Sequence, residues 1–278
     1  MKEKSIWLDS VNLQSFPSLK EDINTDVLII GGGISGLLCA YELKKRNINY
    51  VLLEQHEIAR KTSKDTTAFV TAFHETLYQD IIKKFGIDKA KQYLNLNLKA
   101  IEQYENLSKI YSFDFKKCNS TIYSKVDKDI IIKEHEALKT LGYESELLDK
   151  IPINIPISLA VTFKDQATIN PLKFINEISK NLNIYEKSKV YKIKDNVAYI
   201  TSGHKVFFNK VVIATHYPII NKKGLYFMKL TQRRSYVLAF ENEYIDGTYF
   251  NIDDNGIYYR SYDKYLIIGG NDRDTNKE

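Results

Sequence analysis

Three glycines with the spacing Gly31-x-Gly33-x-x-Gly36 are the residues of this sequence that most directly suggest a chemistry. In dinucleotide-binding proteins the first such glycine makes a tight turn, the second lets the backbone approach a pyrophosphate, and the third lets a helix pack on a strand. The N–H groups of the helix that follows, which begins near Ile34 and Ser35, then bind phosphate oxygens. The spacing therefore predicts a dinucleotide pyrophosphate site.

Glu54 supplies a carboxylate about 20 residues after these glycines, where dinucleotide-binding proteins hold a ribose. A carboxylate accepts hydrogen bonds from ribose hydroxyls and repels a 2′-phosphate, so this residue argues against NADP. The alternative interpretation is a structural glycine turn followed by an incidental surface glutamate. The motif by itself does not distinguish FAD from NAD.

The segments around the motif predict the elements that would position it. Residues 26–30 form an apolar run typical of a strand buried on both faces of a parallel sheet. Residues 37–43 carry apolar side chains at helical spacing, and residues 50–54 form a second buried strand. Strand, glycine turn, helix and strand together predict a βαβ unit.

The rest of the chain predicts a mixed α/β protein with a later antiparallel sheet. A proline-punctuated crossing at residues 151–156 is a candidate domain boundary. Helical periodicity covers residues 76–112, 127–141 and 172–182. Strands are expected at residues 189–193, 197–201, 205–208, 210–214, 233–240, 256–260 and 264–268.

Composition excludes several classes of protein. Of 278 residues, 44% are hydrophobic and 27% charged, which is typical of a globular protein. The net charge of +5 is spread along the chain, so no nucleic-acid partner is expected. Cys39 and Cys118 are too few for a disulfide framework, and no spacing suggests a metal site. No secretory signal or transmembrane run occurs, so a cytoplasmic location is expected.

Residues 25–54, preceded by Trp7-Leu-Asp-Ser, resemble the start of the D-amino-acid oxidase/glycine oxidase-like family of FAD-dependent oxidoreductases. The resemblance is closest to a bacterial branch whose longer members often carry a C-terminal Rieske domain. It implies a Rossmann-like FAD-binding domain at residues 1–110 and 152–217, and a mainly antiparallel-sheet substrate domain at 111–151 and 218–278. Weaker similarities lie at residues 63–68, 207–215, 232–236, 258–260 and 266–270.

The resemblance also implies roles for individual residues. His216 departs from the family's Ala-Thr-Gly pattern, which puts the close backbone approach there in doubt. For the threonines of residues 66–67, helix capping is an equally simple explanation. The FAD contacts implied are the pyrophosphate at Gly31, Gly33, Ile34, Ser35 and Gly36, the adenosine ribose at Glu54, the pyrophosphate and flavin side at Thr66, Thr67 and Ala68, the adenine at the main chain of Val190, and the cofactor's path at Ala214 and Thr215.

Oxidation of an amine by FAD needs little acid–base machinery, because the substrate carbon delivers a hydride to flavin N5. The protein mainly orients the amine and fixes any carboxylate, for which arginine is well suited. Arg260 is the candidate for that contact, with Tyr258 and Tyr236 as pocket walls. The alternative for Arg260 is a surface arginine on an edge strand.

The sequence thus predicts an FAD-dependent oxidoreductase that acts on an amine or amino acid, with oxygen, a quinone or an iron–sulfur protein as electron acceptor. Relatives continue beyond the Gly269–Gly270 strand into a segment that covers the flavin. A second hypothesis is therefore a non-catalytic or partner-dependent fragment, to which a partner chain would supply that segment. A third is an NAD-dependent dehydrogenase, although no acid–base pair for it was found.

Overall fold

The structure is a computed structural model that describes residues 5–219, 224–253 and 256–275. It divides into two compact units. The first comprises Met1–Thr66 and Asn170–Thr231, and the second comprises Thr67–Ile169 and Gln232–Glu278. Each unit contains its own β-sheet.

The described chain begins with a short 3-10 helix at Ile6–Asp9. The helices are α1 Ile34–Lys45, α2 Thr62–Asp65, α3 Leu77–Phe85, α4 Ile87–Ser108, α5 Lys128–Thr140, α6 Pro171–Ser179 and α7 Tyr226–Lys229. The strands are β1 Ile23–Ile30, β2 Tyr50–Leu53, β3 Phe69–Val70, β4 Lys116–Ser124, β5 Ser145–Leu148, β6 Leu159–Thr168, β7 Ile184–Tyr185, β8 Val190–Lys194, β9 Val197–Ile200, β10 Lys205–Ile213, β11 Arg233–Glu241, β12 Thr248–Asn251, β13 Ile257–Tyr262 and β14 Tyr265–Asp274.

The sheet of the first unit has the strand order β7-β2-β1-β10-β9-β8. Strand β1 pairs in parallel with β2 on one side and with β10 on the other. Leu28 and Ile29 are fully buried, as a strand covered on both faces requires. The predicted βαβ unit is therefore present, and the carboxyl ends of β1, β2 and β10 lie side by side.

The sheet of the second unit has the strand order β11-β14-β13-β12-β4-β6-β3, with β5 also paired to β6. Helix α3 packs on α4 and α5 in this unit. Gly86, whose φ is +83°, separates α3 from α4 within the stretch of residues 76–112 that the sequence predicted to be helical. The predicted fold class, a Rossmann-like unit beside a mainly antiparallel sheet, is confirmed.

Several predicted boundaries differ from the structure. Strand β10 is continuous where two strands were expected, and β6 and β12 were not predicted. Residues 67–110, expected in the first domain, pack in the second unit because α3 and α4 bury their apolar faces there. No helix in the described part of the chain is long and apolar enough to cross a membrane.

Candidate cofactor site

The glycine loop, residues 31–36, connects β1 to α1 in the first unit. Gly31 has a φ of +113°, and a Cβ there would lie 2.3 Å from the carbonyl oxygen of Ala214, which follows β10. A Cβ at Gly36 would lie 2.0 Å from the carbonyl oxygen of Gly31. Glycine is thus required at both positions by the protein's own packing, because Ala214 lies against Gly31 and the first turn of α1 lies against the Gly31 carbonyl.

Gly33 differs from its two neighbours in the motif. Its backbone has φ −81° and ψ 178°, which any residue adopts. A Cβ there would contact only the Ser63 hydroxyl oxygen, at an ordinary 3.4 Å. The fold therefore does not need glycine at this position. The open space above Gly33 is what a group approaching the backbone from outside the protein requires.

The start of α1 presents backbone donors. Gly33 caps the helix without any side-chain hydrogen bond, and the Ile34 N–H donates to the Ser63 hydroxyl at 3.1 Å. For the N–H groups of Ser35 and Gly36, the part of the chain that is described supplies no acceptor. Such groups, at the positive end of the helix dipole, bind anions. The loop therefore fits the pyrophosphate of a dinucleotide.

Glu54 follows β2 and lies against this loop. Its Oε2 accepts the Gly32 N–H at 2.7 Å, and its Oε1 accepts the His56 N–H at 2.9 Å. These two bonds fix the carboxylate in one orientation, while each oxygen keeps lone pairs for further donors. The Ser188 N–H donates to the Glu54 carbonyl at 2.8 Å, which brings the start of β8 close to the same edge. The ribose contact of Glu54 stays a prediction.

The other residues predicted to contact FAD in the first unit lie as follows. The side chain of Val190 is buried in the hydrophobic core that contains Leu53. Ala214 donates its N–H to the Ile30 carbonyl at 2.8 Å, directly beside Gly31. His216, which replaces the expected glycine, nevertheless has a φ of +67°. The backbone at residue 216 thus has the positive φ that glycine adopts readily, although the residue is histidine.

Thr66, Thr67 and Ala68 join the first unit to the second. The Thr66 carbonyl accepts the indole N–H of Trp7 at 2.9 Å in the first unit. The second unit begins at Thr67, and Ala68 has a left-handed φ of +56°. Thr215, by contrast, uses its hydroxyl locally, on the Tyr217 carbonyl at 2.6 Å. The roles of all four residues in FAD binding stay predictions.

Arg260 lies inside the second unit and is only 1% exposed. Its Nη1 donates to the carbonyl oxygens of Thr67, Ala68 and Ile169 at 2.7, 2.9 and 3.2 Å. Burial lowers the pKa of the guanidinium to about 10, which leaves it charged at neutral pH. The alternative of a surface arginine on an edge strand is wrong, because β13 lies between β12 and β14.

The strand register separates the two tyrosines predicted beside Arg260. Tyr258 pairs with Gly269 and, two residues before Arg260, shares its face of the sheet. The ring of Tyr258 occupies the space over Gly269, where an added Cβ would be 2.0 Å from it. Tyr236 pairs with Gly270, so it belongs to the opposite face and is 46% exposed. The structure therefore does not bring Tyr236 together with Tyr258 and Arg260.

Sequence reasoning missed Ser63 as a residue of the site. It is 9% exposed in α2, and its hydroxyl accepts the first N–H of α1. Nothing in the spacing of residues 62–66 indicated this contact, because it depends on where α2 packs. The available signal was that Ser63 begins the segment 63–68, which resembles the family.

A parallel sheet whose glycine loop offers helix N–H groups beside a strand-end carboxylate defines a dinucleotide-binding unit of the Rossmann type. The family described as DAO, FAD dependent oxidoreductase, matches residues 26–278. The chain therefore belongs to this family of FAD-dependent oxidoreductases, whose cofactor is FAD.

Two curated proteins are similar to nearly the whole chain. The chain is 33% identical over 281 residues to a putative Rieske 2Fe-2S iron-sulfur protein, YhfW, of Bacillus subtilis, which covers 96% of this chain but 54% of that protein. It is 24% identical to the probable oxidoreductase OrdL of Haemophilus influenzae, over 99% of this chain and 71% of that protein. The chain thus spans about half the length of the first of these relatives.

Solved structures show the same fold. Glycine oxidase from Geobacillus kaustophilus superposes with a TM-score of 0.70 at 16% identity, over 91% of this chain and 72% of that chain. L-proline dehydrogenase from P. horikoshii superposes with a TM-score of 0.71 at 16% identity, over 90% and 70%. These similarities extend through both units of the chain and confirm the architecture.

Proposed function

We propose that this chain binds FAD at the glycine loop and oxidises an amine or amino acid. The observation that carries the proposal is the contrast at the loop: packing demands Gly31 and Gly36, whereas the space above Gly33 is open and lies beside helix N–H groups. Two of the similar structures are amino-acid-oxidising enzymes by name, a glycine oxidase and a proline dehydrogenase. Both support this substrate class.

The chain's own residues would do the binding. The N–H groups of Ser35 and Gly36 would hold a pyrophosphate, and Glu54, oriented by Gly32 and His56, would accept hydrogen bonds from the adenosine ribose. FAD, when bound, supplies the flavin N5 that accepts a hydride from the substrate carbon. Electrons would then pass to oxygen, a quinone or an iron–sulfur protein, and the Rieske name of the relative favours the last.

The substrate contacts would come from one face of the sheet in the second unit. Tyr258 and Arg260 share one face of the second sheet, and Arg260 would fix a substrate carboxylate there. The side chains that join Tyr258 on that face across β14 are those of Val237 and Ala239, not Tyr236. A partner chain that supplies further substrate contacts is also part of the proposal.

Gly33→Ala tests the cofactor site directly. The added methyl group meets no strain and no short contact, so the thermal unfolding of the apoprotein should match the wild type. It fills the space that the pyrophosphate needs, so the Kd for FAD should rise about tenfold or more. Flavin fluorescence quenching measures that Kd, and retention of flavin colour after desalting separates FAD from weakly held NAD.

Lys45→Ala is the matched control, at the exposed opposite end of the same helix. It should change neither the Kd for FAD nor the unfolding temperature. If Gly33→Ala bound FAD as tightly as the wild type, the loop would not be the cofactor site. If the wild-type chain retained no flavin at all, the proposed function would be contradicted.

A further inference from the structure

Trp7 is the only tryptophan of the chain and is nearly inaccessible, at 3% exposure. It lies in the 3-10 helix Ile6–Asp9, before the first strand of the dinucleotide-binding unit. Ser5 accepts the Trp7 N–H at 3.3 Å, and the Ser10 hydroxyl donates to the Trp7 carbonyl at 2.6 Å. The backbone of Trp7 is thus held on both sides.

This short helix is anchored to the body of the first unit. The side-chain amide of Asn170 donates to the Ser10 hydroxyl at 2.8 Å. Asn170 is fully buried, and its Oδ1 accepts the N–H groups of Leu172 and Lys173 at the start of α6. Because Asn170 is fixed by α6, the segment Ser5–Ser10 has a rigid support.

The same segment holds the carboxyl end of α2. The Trp7 indole N–H donates to the Thr66 carbonyl at 2.9 Å, and the Ser5 hydroxyl donates to the Lys64 carbonyl. The last carbonyl groups of a helix receive no hydrogen bond from an N–H group of the same helix, so their donors must come from elsewhere. Two side chains from the start of the chain therefore satisfy the end of α2.

Helix α2 in turn lies against the glycine loop. Ser63 of α2 accepts the Ile34 N–H at 3.1 Å, and its hydroxyl oxygen is the nearest atom to the open space above Gly33. A shift of α2 would move this hydroxyl relative to the first turn of α1. Contacts therefore run from Trp7 through α2 to the N–H groups that bind the pyrophosphate under the proposed function.

We propose that Trp7 is a positioning residue for the FAD site, which holds the end of α2 at Thr66 so that Ser63 keeps its place beside the glycine loop. The inference rests on the proposed function and adds a residue outside the glycine motif to the cofactor site. By this proposal Trp7 does not contact the cofactor itself. Its effect is carried by the hydrogen bond to Thr66.

Trp7→Phe tests this because it keeps an aromatic ring in the buried space while it deletes the indole N–H together with the five-membered part of the ring system. Loss of one such bond should raise the Kd for FAD about fivefold. Amide hydrogen exchange in residues 62–66 of the apoprotein should become faster, because the end of α2 loses a fixed donor. Asn176→Ala is the control: it removes the exposed bond from the Gln14 N–H to α6 without touching α2. It should leave the Kd unchanged.

The double variant Trp7→Phe/Ser63→Ala distinguishes positioning from a general loss of stability. If Trp7 acts through α2, the two changes should be non-additive, and the double variant should bind FAD no more weakly than about the worse single one. A folded Trp7→Phe protein with wild-type Kd and wild-type exchange would overturn the inference while Gly33→Ala still supported the function. Failure of the wild type to bind FAD would instead contradict the proposed function, and the inference with it.

Discussion

The glycine loop of the first unit and the surroundings of Arg260 in the second unit differ in whether their backbone polar groups have hydrogen-bond partners within the protein. In the loop, Ser35 and Gly36 present N–H groups for which the described residues supply no acceptor. Around Arg260, one guanidinium nitrogen collects three carbonyl oxygens from two separate segments. Under the proposed function a ligand completes the first arrangement, whereas the Nη1 of Arg260 already has its acceptors within the protein.

A buried charge is therefore a weaker indication of a site here than an unused backbone donor. Glu134 makes the same point, because it is fully buried yet accepts the N–H groups of Tyr78 and Gln79 at the start of α3, at 2.8 and 3.0 Å. It caps a neighbouring helix of its own unit. The comparison predicts that changes at buried charges cost stability, while a change at Gly33 costs cofactor affinity.

Arg260→Met should have the largest effect on stability. It removes the guanidinium donor from the carbonyls of Thr67, Ala68 and Ile169, of which Ala68 keeps the Ile169 N–H at 3.4 Å, and the loss costs about 3 kcal/mol in the free energy of unfolding. Chemical denaturation measures this, with Arg234→Met on the exposed strand β11 as a control that should change little. If Arg260→Met unfolded like the wild type and only KM for the amine rose, substrate binding would be the main role of Arg260.

Gly36→Ala should have an intermediate effect on stability. It distinguishes a glycine that packing requires, Gly36, from one that leaves space for a ligand, Gly33. The new methyl group would lie 2.0 Å from the Gly31 carbonyl oxygen, so α1 must move away from the turn. We expect a loss of about 2 kcal/mol in the free energy of unfolding, together with weaker FAD binding. Gly33→Ala should lose affinity alone. Equal stability losses in the two variants would remove the distinction between packing and ligand space.

The sequence was sufficient to predict the βαβ unit, because an apolar strand, a glycine turn and apolar residues at helical spacing are local patterns. The second sheet was harder to predict. Strand β6 brings together β3, β4 and β5 from distant parts of the chain, and the sequence around it reads as a proline-rich crossing. Long-range pairing of this kind leaves no periodic signal that a single segment could show.

The residues of the candidate sites also differ in whether local sequence is enough to predict them. Gly31, Gly33 and Gly36 could be predicted from spacing because they lie in one turn, although the contact that requires glycine at position 31 is with the distant Ala214. The contacts of Ser63 and Arg260 depend on packing between segments far apart in sequence: Arg260 reaches Thr67 across 193 positions. The alternating pattern of side chains predicted that Arg260 lies on a strand, but it could not show whether that strand is at the edge or in the middle of the sheet. Burial, and with it the number of carbonyls that Arg260 satisfies, follows only from the assembled sheet.

Glu134→Gln should have the smallest of the three stability effects and a defined pH dependence. The amide keeps one acceptor oxygen for the Tyr78 and Gln79 N–H groups, so one hydrogen bond is lost, at about 1 kcal/mol. In the wild type, desolvation by burial raises the pKa of Glu134, and the two backbone N–H groups only partly oppose this. The protonated carboxyl is therefore favoured in the folded state more than in the unfolded state.

Linkage then fixes the sign of the pH dependence. The stabilisation from a raised pKa is fully present below the unfolded value, about 4.3 for glutamate, and is lost as pH rises through the folded value. The advantage of the wild type over Glu134→Gln should therefore be larger at acidic pH than at neutral pH, measured by urea denaturation of both proteins across that range. An advantage that grew with pH would show that the helix N–H groups outweigh desolvation. Glu134 would then resemble the glycine loop, as a place where the start of a helix favours an anion.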